Sequence, residues 1–194
     1  MKFLEPRTSE SAAIRFFERR RLRNLWGLLG RRSPATPGSS DTLHRVPYAE
    51  LVWLPYYIIP IKLRSPRGES EITVSVEGYS GSVAVFQTQA NTVEGKPQGE
   101  TFRPRLDQIE ATRLARKGLL VTIMGRRSGR EKPVPQEVVR VDLLHYPFWV
   151  YYYERRRGRL DIRVLDAVNG SKPGPGVRAS ILNAFASAKR DAAF

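Results

Sequence analysis

The chain has 194 residues, of which 41% are hydrophobic, and it contains no cysteine. This length is enough to bury a sizeable core, and the lack of cysteine excludes disulfides and thiolate metal sites. Lys and Arg number 33 against 19 Asp and Glu, which leaves a formal net charge of +14. A field of this sign favours polyanionic partners: nucleic acid, an anionic membrane surface or an acidic protein face. A basic surface that only maintains solubility is the simpler alternative.

The sequence lacks the signals of membrane insertion and export. It has no apolar run long enough for a transmembrane helix, and its first residues, MKFLEPRTSE, lack the apolar core of a secretory signal. We therefore expect a cytoplasmic protein. Peripheral attachment to a membrane is compatible with this expectation.

Residues 9–29 have the pattern of an amphipathic helix. Ser9 is a suitable N-cap, and an apolar arc begins with Ile14 and Phe17. An Arg-rich helix of this kind could lie on an anionic membrane, and its candidate contacts are Arg19, Arg20, Arg23 and Trp26. The alternative, which we favour, is that the apolar face packs on the protein's own sheet.

The next segments predict a small sheet. Residues 33–44 form a Pro/Gly/Ser linker, and strands are predicted over residues 45–54, 56–63 and 71–76. Pro60 lies inside the second of these strands, which predicts a sheet edge or a bulge there.

A similar set of elements follows the polar, turn-rich residues 91–105. A second helix is predicted over residues 106–124, weakened by Gly118. Strands are predicted over residues 137–144, 148–153 and 159–166, and a short helix closes the chain over residues 177–193. The fold class is therefore α+β.

The two halves resemble each other in sequence. LGRRS at residues 29–33 matches MGRRS at 124–128, Pro55 matches Pro147, and Gly81 matches Gly170. The matches are collinear, with gaps only in linkers and turns, where insertions cost little. We predict two tandem duplicated units around a pseudo-twofold axis, each a helix followed by a three- to four-stranded antiparallel meander. The predicted boundaries are 1–90 and 104–175, with 176–194 as the C-terminal helix.

The second unit ends in Asp166-Ala167-Val168-Asn169-Gly170. A helix, a three-stranded meander and this closing turn resemble the PepSY or cystatin-like class of small domains. The first unit departs from the motif, with Val76-Glu77-Gly78-Tyr79-Ser80-Gly81 in its place. The resemblance implies a binding or scaffold module rather than a catalyst.

The sequence offers little for catalysis. The two histidines, His44 and His145, have no companion at ligand spacing, and no serine stands in a nucleophile elbow. We expect Asp161 on a solvated strand and Asp166 in a solvated turn. No enzyme activity, metal or cofactor is predicted.

The candidate binding residues are basic. Arg155, Arg156, Arg157 and Arg159 crowd the predicted turn beside Tyr152, and a second patch consists of Arg31, Arg32, Arg126 and Arg127. We predict a non-enzymatic accessory or scaffold subunit that docks on a larger assembly through these patches, with an acidic protein face or an anionic membrane as partner. The alternative is a nucleic-acid-binding protein that uses the Arg and Tyr side chains of this hairpin.

Overall fold

The computed structural model describes residues 1–22, 47–66, 68–87, 90–125, 132–154 and 159–191. The helices in these ranges are α1 (Glu10–Leu22), α2 (Gln108–Gly125) and α3 (Pro175–Asp191). The strands are β1 (Lys2–Leu4), β2 (Tyr48–Ser65), β3 (Gly68–Glu77), β4 (Val83–Val85), β5 (Thr92–Glu94), β6 (Glu100–Thr101), β7 (Val134–Val138), β8 (Asp142–Glu154) and β9 (Leu160–Asp166). The predicted α+β class is therefore confirmed.

The described strands form one mixed sheet. Its main path is β4-β3-β2-β8-β1-β5, with β6 and β7 also paired to β2 and β9 paired to β8. The predicted antiparallel meanders are not confirmed: β2, β3 and β4 pair antiparallel, as do β8 and β9, but β1 runs parallel to β8 and β6 parallel to β2. Strands of two or three residues have too little alternation to be recognised from sequence.

Two hairpins, β2–β3 and β8–β9, form the centre of this sheet. Their long strands pair with each other in antiparallel register, from Tyr48 opposite Tyr152 to Ile58 opposite Asp142. Residues of both predicted units therefore share one sheet, and the boundaries 1–90 and 104–175 stay predictions.

Strand β2 is continuous where two strands were predicted. Pro55 does not break it, and the carbonyl of this residue accepts a hydrogen bond from the Gly78 amide at 2.8 Å. Near Pro60, β2 exchanges its β8 partner for β7, and the register with β7 shifts between Ile61 and Leu63. A proline lacks only the amide donor, so a strand can continue where neighbouring pairing does not need that donor.

Alternation along β2 and β8 gives the sheet two apolar faces. On one face, α2 places Ala111, Ala115 and Leu119 against Ile59 and Ile61. The same face carries α1, and α3 covers the opposite face through the fully buried Ile181 and Ala184.

Helix α1 packs on the sheet as we favoured, but on the hairpin of the other half. Its buried side chains, Ala13 and Phe17, contact Trp149, Tyr151 and Leu165 of β8 and β9. The ring of Phe17 stacks on that of Tyr151 with centroids 5.0 Å apart. The remainder of the predicted helix, from residue 23 to 29, lies outside the described residues.

Gly118 lies within α2, and the helix continues through it as predicted. A Cβ built at this position would be 2.6 Å from Cγ1 of Val83, so the glycine allows the helix to approach β4 closely. The helix begins after Asp107, whose Oδ1 accepts the Glu110 amide at 2.8 Å.

Candidate functional site

The predicted arginine tip stands at the end of the second hairpin. Arg159 is exposed and directly precedes β9, whereas Arg155, Arg156 and Arg157 lie outside the described residues. Strands β8 and β9 pair from Phe148 opposite Asp166 to Glu154 opposite Leu160, so Arg159 stands directly at the end of a regular ladder.

The aromatic side chains below the tip are engaged within the protein. The Tyr152 ring stacks on Tyr48 with centroids 4.6 Å apart, and its hydroxyl donates a hydrogen bond to Glu50. Burial, with this bond to Glu50, raises the pKa of Tyr152. The Tyr153 hydroxyl donates to Asp161 at 2.9 Å, and the Arg163 guanidinium lies 4.8 Å from the centre of the Tyr153 ring. These rings already have protein partners.

The hairpin is tied to helices on both faces. Arg163 donates to the Phe17 carbonyl of α1 at 3.2 Å, and Arg178 of α3 forms an ion pair with Asp161. Burial alone would raise the pKa of Asp161, but hydrogen bonds from Arg178, Tyr153 and the Ile162 amide hold it below its usual value. The expectation that Asp161 is solvated was wrong, because its side chain is only 9% exposed.

The other predicted contacts are largely outside the described residues. This applies to Arg23, Trp26, Arg31, Arg32, Arg126 and Arg127. Arg19 and Arg20 belong to α1, although only their backbone is described. The structure brings none of these side chains into a described site.

A pair of turn carboxylates forms a site that the sequence did not reveal. The first is Glu77 at the end of β3, which is buried. Its Oε1 accepts the Tyr79 amide at 2.9 Å and its Oε2 the Ser80 amide at 2.7 Å. The Gly81 amide closes the turn on the Glu77 carbonyl at 2.9 Å, and Gly81 has a φ of 69° that favours glycine.

Asp166 at the end of β9 makes the corresponding bonds. Its Oδ1 accepts the amides of Val168 and Asn169 at 2.8 and 3.0 Å. The Gly170 amide donates to the Asp166 carbonyl at 2.9 Å, and φ of Gly170 is 68°. The expectation of a solvated Asp166 was also wrong, because this residue is only 8% exposed and its carboxylate accepts the Tyr146 hydroxyl of β8.

Each turn also receives the segment before a helix. The Gly78 carbonyl accepts the amides of residues 105–106 at 3.0 and 2.9 Å, just before α2. The Ala167 carbonyl accepts those of residues 7–8, both at 2.9 Å, just before α1. The turn of one half therefore anchors the helix of the other.

Polar side chains surround the two carboxylates, and one of these side chains comes from α3. Ser180 of α3 donates from Oγ to Glu77 at 2.6 Å, and the Tyr146 hydroxyl donates to Asp166 at 2.9 Å. Tyr56 lies beside Tyr146, with ring centroids 5.7 Å apart. Burial first, and then the nearby carboxylates, raise the pKa of both tyrosines. With its donors supplied from within the fold, this cluster is suited to holding elements together.

The outward face of α2 is the most apolar exposed segment among the described residues. Leu120, Val121 and Met124 are 48%, 66% and 67% exposed, and all three fall within five consecutive positions. Arg116 and Lys117 are exposed one turn earlier. A helical-wheel reading of residues 108–125 would have found this face, since the buried stripe of Ala111, Ala115, Leu119 and Ile123 lies opposite.

Comparison with known proteins yields no relative: no family model, no curated protein and no solved structure matches the chain. Within the described ranges, no group of three or more His, Asp or Glu side chains is arranged to hold a metal ion. Among the same residues, no helix is both long and apolar enough to cross a membrane.

Proposed function

We propose that this protein is a non-enzymatic, basic accessory or scaffold subunit that docks on a larger assembly through the arginine tip of the second hairpin. One observation carries the proposal. The hairpin is held on both faces, through Arg163 to α1 and Arg178 to α3, and its aromatic side chains are occupied. The hairpin is therefore a rigid support for the tip, and we propose that the tip binds a partner through its positive charge.

The chemistry of the tip favours an acidic partner. Four arginines within five positions repel one another unless anionic groups face them. A guanidinium offers forked donors to a carboxylate or a phosphate, so a surface rich in Asp and Glu would match the tip. The second patch, Arg31, Arg32, Arg126 and Arg127, is part of the same proposal.

Serine substitution of the four tip residues, Arg155, Arg156, Arg157 and Arg159, tests this role. Folding should be nearly unchanged, because exposed substitutions usually cost less than about 0.5 kcal/mol each. Partner capture from native lysate should fall and lose its salt dependence. The matched control replaces four exposed arginines elsewhere, Arg64, Arg103, Arg105 and Arg190, and so removes the same charge.

A crosslink identifies the face that is used. A photoreactive residue at Arg159 should crosslink the captured partner, whereas one at Arg64, at the other end of the sheet, should not. Equal capture by the tip and control variants would show that net charge alone is responsible, and the proposal would fail.

Nucleic acid is the second candidate, supported by the net charge of +14. The engagement of Tyr152 with Tyr48 and Glu50 leaves this alternative dependent on phosphate contacts more than on base stacking. Purified protein that carries nucleic acid and releases it in high salt would favour this candidate over an acidic protein partner.

The proposal also covers the cellular location of the protein and the evolutionary origin of its fold. We propose a cytoplasmic protein, peripheral to a membrane, which cell fractionation would test. We propose as well that the two halves are duplicated units related by a pseudo-twofold axis and similar to the PepSY or cystatin-like class. The matching bonds of Glu77 and Asp166, and of the Gly78 and Ala167 carbonyls, support this duplication.

A further inference from the structure

The inward and outward faces of α2 differ in an unusual way near its C-terminus. Near this end, Leu119 and Ile123 face inward and are buried against the sheet. Three further large apolar side chains, Leu120, Val121 and Met124, face outward and are about half to two-thirds exposed. Packing among the described residues does not account for these three side chains.

Basic groups stand on both sides of this apolar surface. Arg116 and Lys117 precede Leu120 and Val121 by one helical turn and therefore lie next to them. On the other side, the Lys132 ammonium donates to the Met124 carbonyl at 2.8 Å. Two residues further on, Val134 is 58% exposed. Glu110, the one acidic residue of α2, is paired with Arg113 at 2.6 Å.

The extent and charge of this surface match a lipid partner better than a protein. Three or four apolar side chains cover on the order of a few hundred Å². A stable protein–protein interface buries about 1,600 Å² in total. A helix face that combines apolar and basic side chains binds an anionic bilayer without needing a large complementary surface, because acyl chains and headgroup phosphates adapt to it.

This surface is remote from the arginine tip. Arg159 of the tip adjoins the end of the ladder at which Tyr48 of β2 pairs with Tyr152. The end of α2 adjoins the opposite end, because Lys132 contacts Met124 and Val134 pairs with Arg64. Strand β2 has 18 residues and would span about 55 Å if straight, so the two surfaces can act separately.

We propose that the C-terminal half of α2 is a membrane-contacting surface that binds anionic bilayers. Leu120, Val121 and Met124 enter the boundary between headgroups and acyl chains, while Arg116 and Lys117 bind headgroup phosphates. This goes beyond docking through the hairpin tip and does not depend on the tip arginines.

The absence of cysteine from the chain allows a direct test in the full protein. Met124→Cys, labelled with an environment-sensitive fluorophore, should shift to shorter wavelength on vesicles of phosphatidylcholine and phosphatidylglycerol. The matched control is Leu182→Cys on α3, at a position that is also exposed but on the opposite face of the sheet. Its emission should not change. A shift at both positions, or at neither, would overturn the proposal.

Uncharged substitutions separate the apolar from the electrostatic part. The double variant Val121→Thr with Met124→Gln should reduce binding to the anionic vesicles about tenfold in a co-sedimentation assay. Arg116→Gln and Lys117→Gln should each reduce it about fivefold at low salt and little at high salt. Binding by the double variant equal to that of the wild type would overturn the proposal.

Two further measurements are needed. One distinguishes a lipid bilayer from a second copy of the chain on this face, and the other separates this proposal from docking through the arginine tip. If the wild type is a dimer in solution and the double variant a monomer, a second copy covers this face and the lipid proposal is wrong. Serine substitution of the four tip arginines should leave the fluorophore shift at position 124 in place. Loss of partner capture without loss of this shift would show that the two surfaces have separate roles.

Discussion

The turns that follow the two central hairpins have the same hydrogen bonds, but the carboxylate that binds each turn belongs to a side chain of different length. In the β2–β3 hairpin, Glu77 binds the turn amides and extends to the hydroxyl of Ser180 on α3. In the β8–β9 hairpin, the shorter Asp166 binds its own turn and Tyr146 of the neighbouring strand. The carboxylate of Glu77 thus reaches a helix on the sheet, whereas that of Asp166 bonds only to its own turn and to a strand.

The two hairpins also hold their helices in the same way. Tyr57 on β2 donates from its hydroxyl to the Leu106 carbonyl, and Trp149 on β8 donates from Nε1 to the Thr8 carbonyl, both at 2.7 Å. Each acceptor lies two residues before a helix, α2 or α1. The comparison therefore predicts equal roles for these two aromatic residues and unequal roles for the two carboxylates.

The largest expected effect comes from removing these aromatic rings. Trp149→Ala should lower the free energy of unfolding by about 3–5 kcal/mol, because the ring is buried against α1. Tyr57→Ala is the matched change and should cost a similar amount. Urea unfolding measures both. The milder Tyr57→Phe should cost about 1 kcal/mol, the value of one hydrogen bond.

A loss at only one of the two positions would break the comparison between the hairpins. An unchanged melting temperature for Trp149→Ala would mean that the ring is exposed. In that case the alternative, in which the hairpin aromatics stack on nucleic-acid bases, would gain support.

A smaller effect, the coupling of each carboxylate to Ser180, should separate Glu77 from Asp166. Glu77→Gln and Asp166→Asn should each cost about 2 kcal/mol, because charge-assisted hydrogen bonds are lost at buried positions. Ser180→Ala should cost about 1 kcal/mol in the wild type but little in the Glu77→Gln protein. With Asp166→Asn, the cost of Ser180→Ala should instead be additive. Coupling of Ser180 to Asp166 as strong as to Glu77 would contradict the difference in reach.

The smallest effect concerns pH and the second hairpin alone. Burial lowers the pKa of His145, and the Phe102 carbonyl only partly opposes this. The unfolded chain therefore binds a proton more readily, so this stability is fully present above about pH 6.5 and decreases as the pH falls towards the folded-state pKa. The loss should not exceed about 1.4 kcal/mol per pH unit, the limit for one proton.

His145→Gln should remove this dependence in urea unfolding between neutral and mildly acidic pH. His44→Gln should retain it, and so serves as the control. His145 stands two positions before Pro147, which matches Pro55 of the first hairpin. The equivalent residue of the first hairpin is therefore Trp53, which does not titrate. A dependence that survives His145→Gln would assign the effect to other groups.

The sequence predicted the β8–β9 hairpin and α3 well, because alternation and helical periodicity are strong there. It divided β2 in two because Pro55 looks like a strand end, although its carbonyl is still used. The short strands β1 and β6 carry no detectable period. Pairing between distant segments, which decides their position, is not encoded in local periodicity.

The candidate sites were harder to predict than the elements. Asp166 has the sequence context of a solvated turn residue, yet it is buried and accepts the Tyr146 hydroxyl, a contact that local periodicity does not predict. Arg155, Arg156 and Arg157 remain predictions because they lie outside the described residues. The exposed apolar face of α2 could have been predicted from the sequence, because it follows from the spacing of apolar residues along the helix.

The central position of β2 has a consequence for how the chain reaches this fold. Tyr48 pairs with Tyr152 and Ile58 with Asp142, so the longest ladder joins segments about a hundred residues apart. Such contacts form late and make folding slow, because a long loop must close before they can be gained. During synthesis, β2 keeps an unpaired and strongly apolar edge until β8 has left the ribosome. The first half of the chain should therefore need protection from aggregation until the second half arrives.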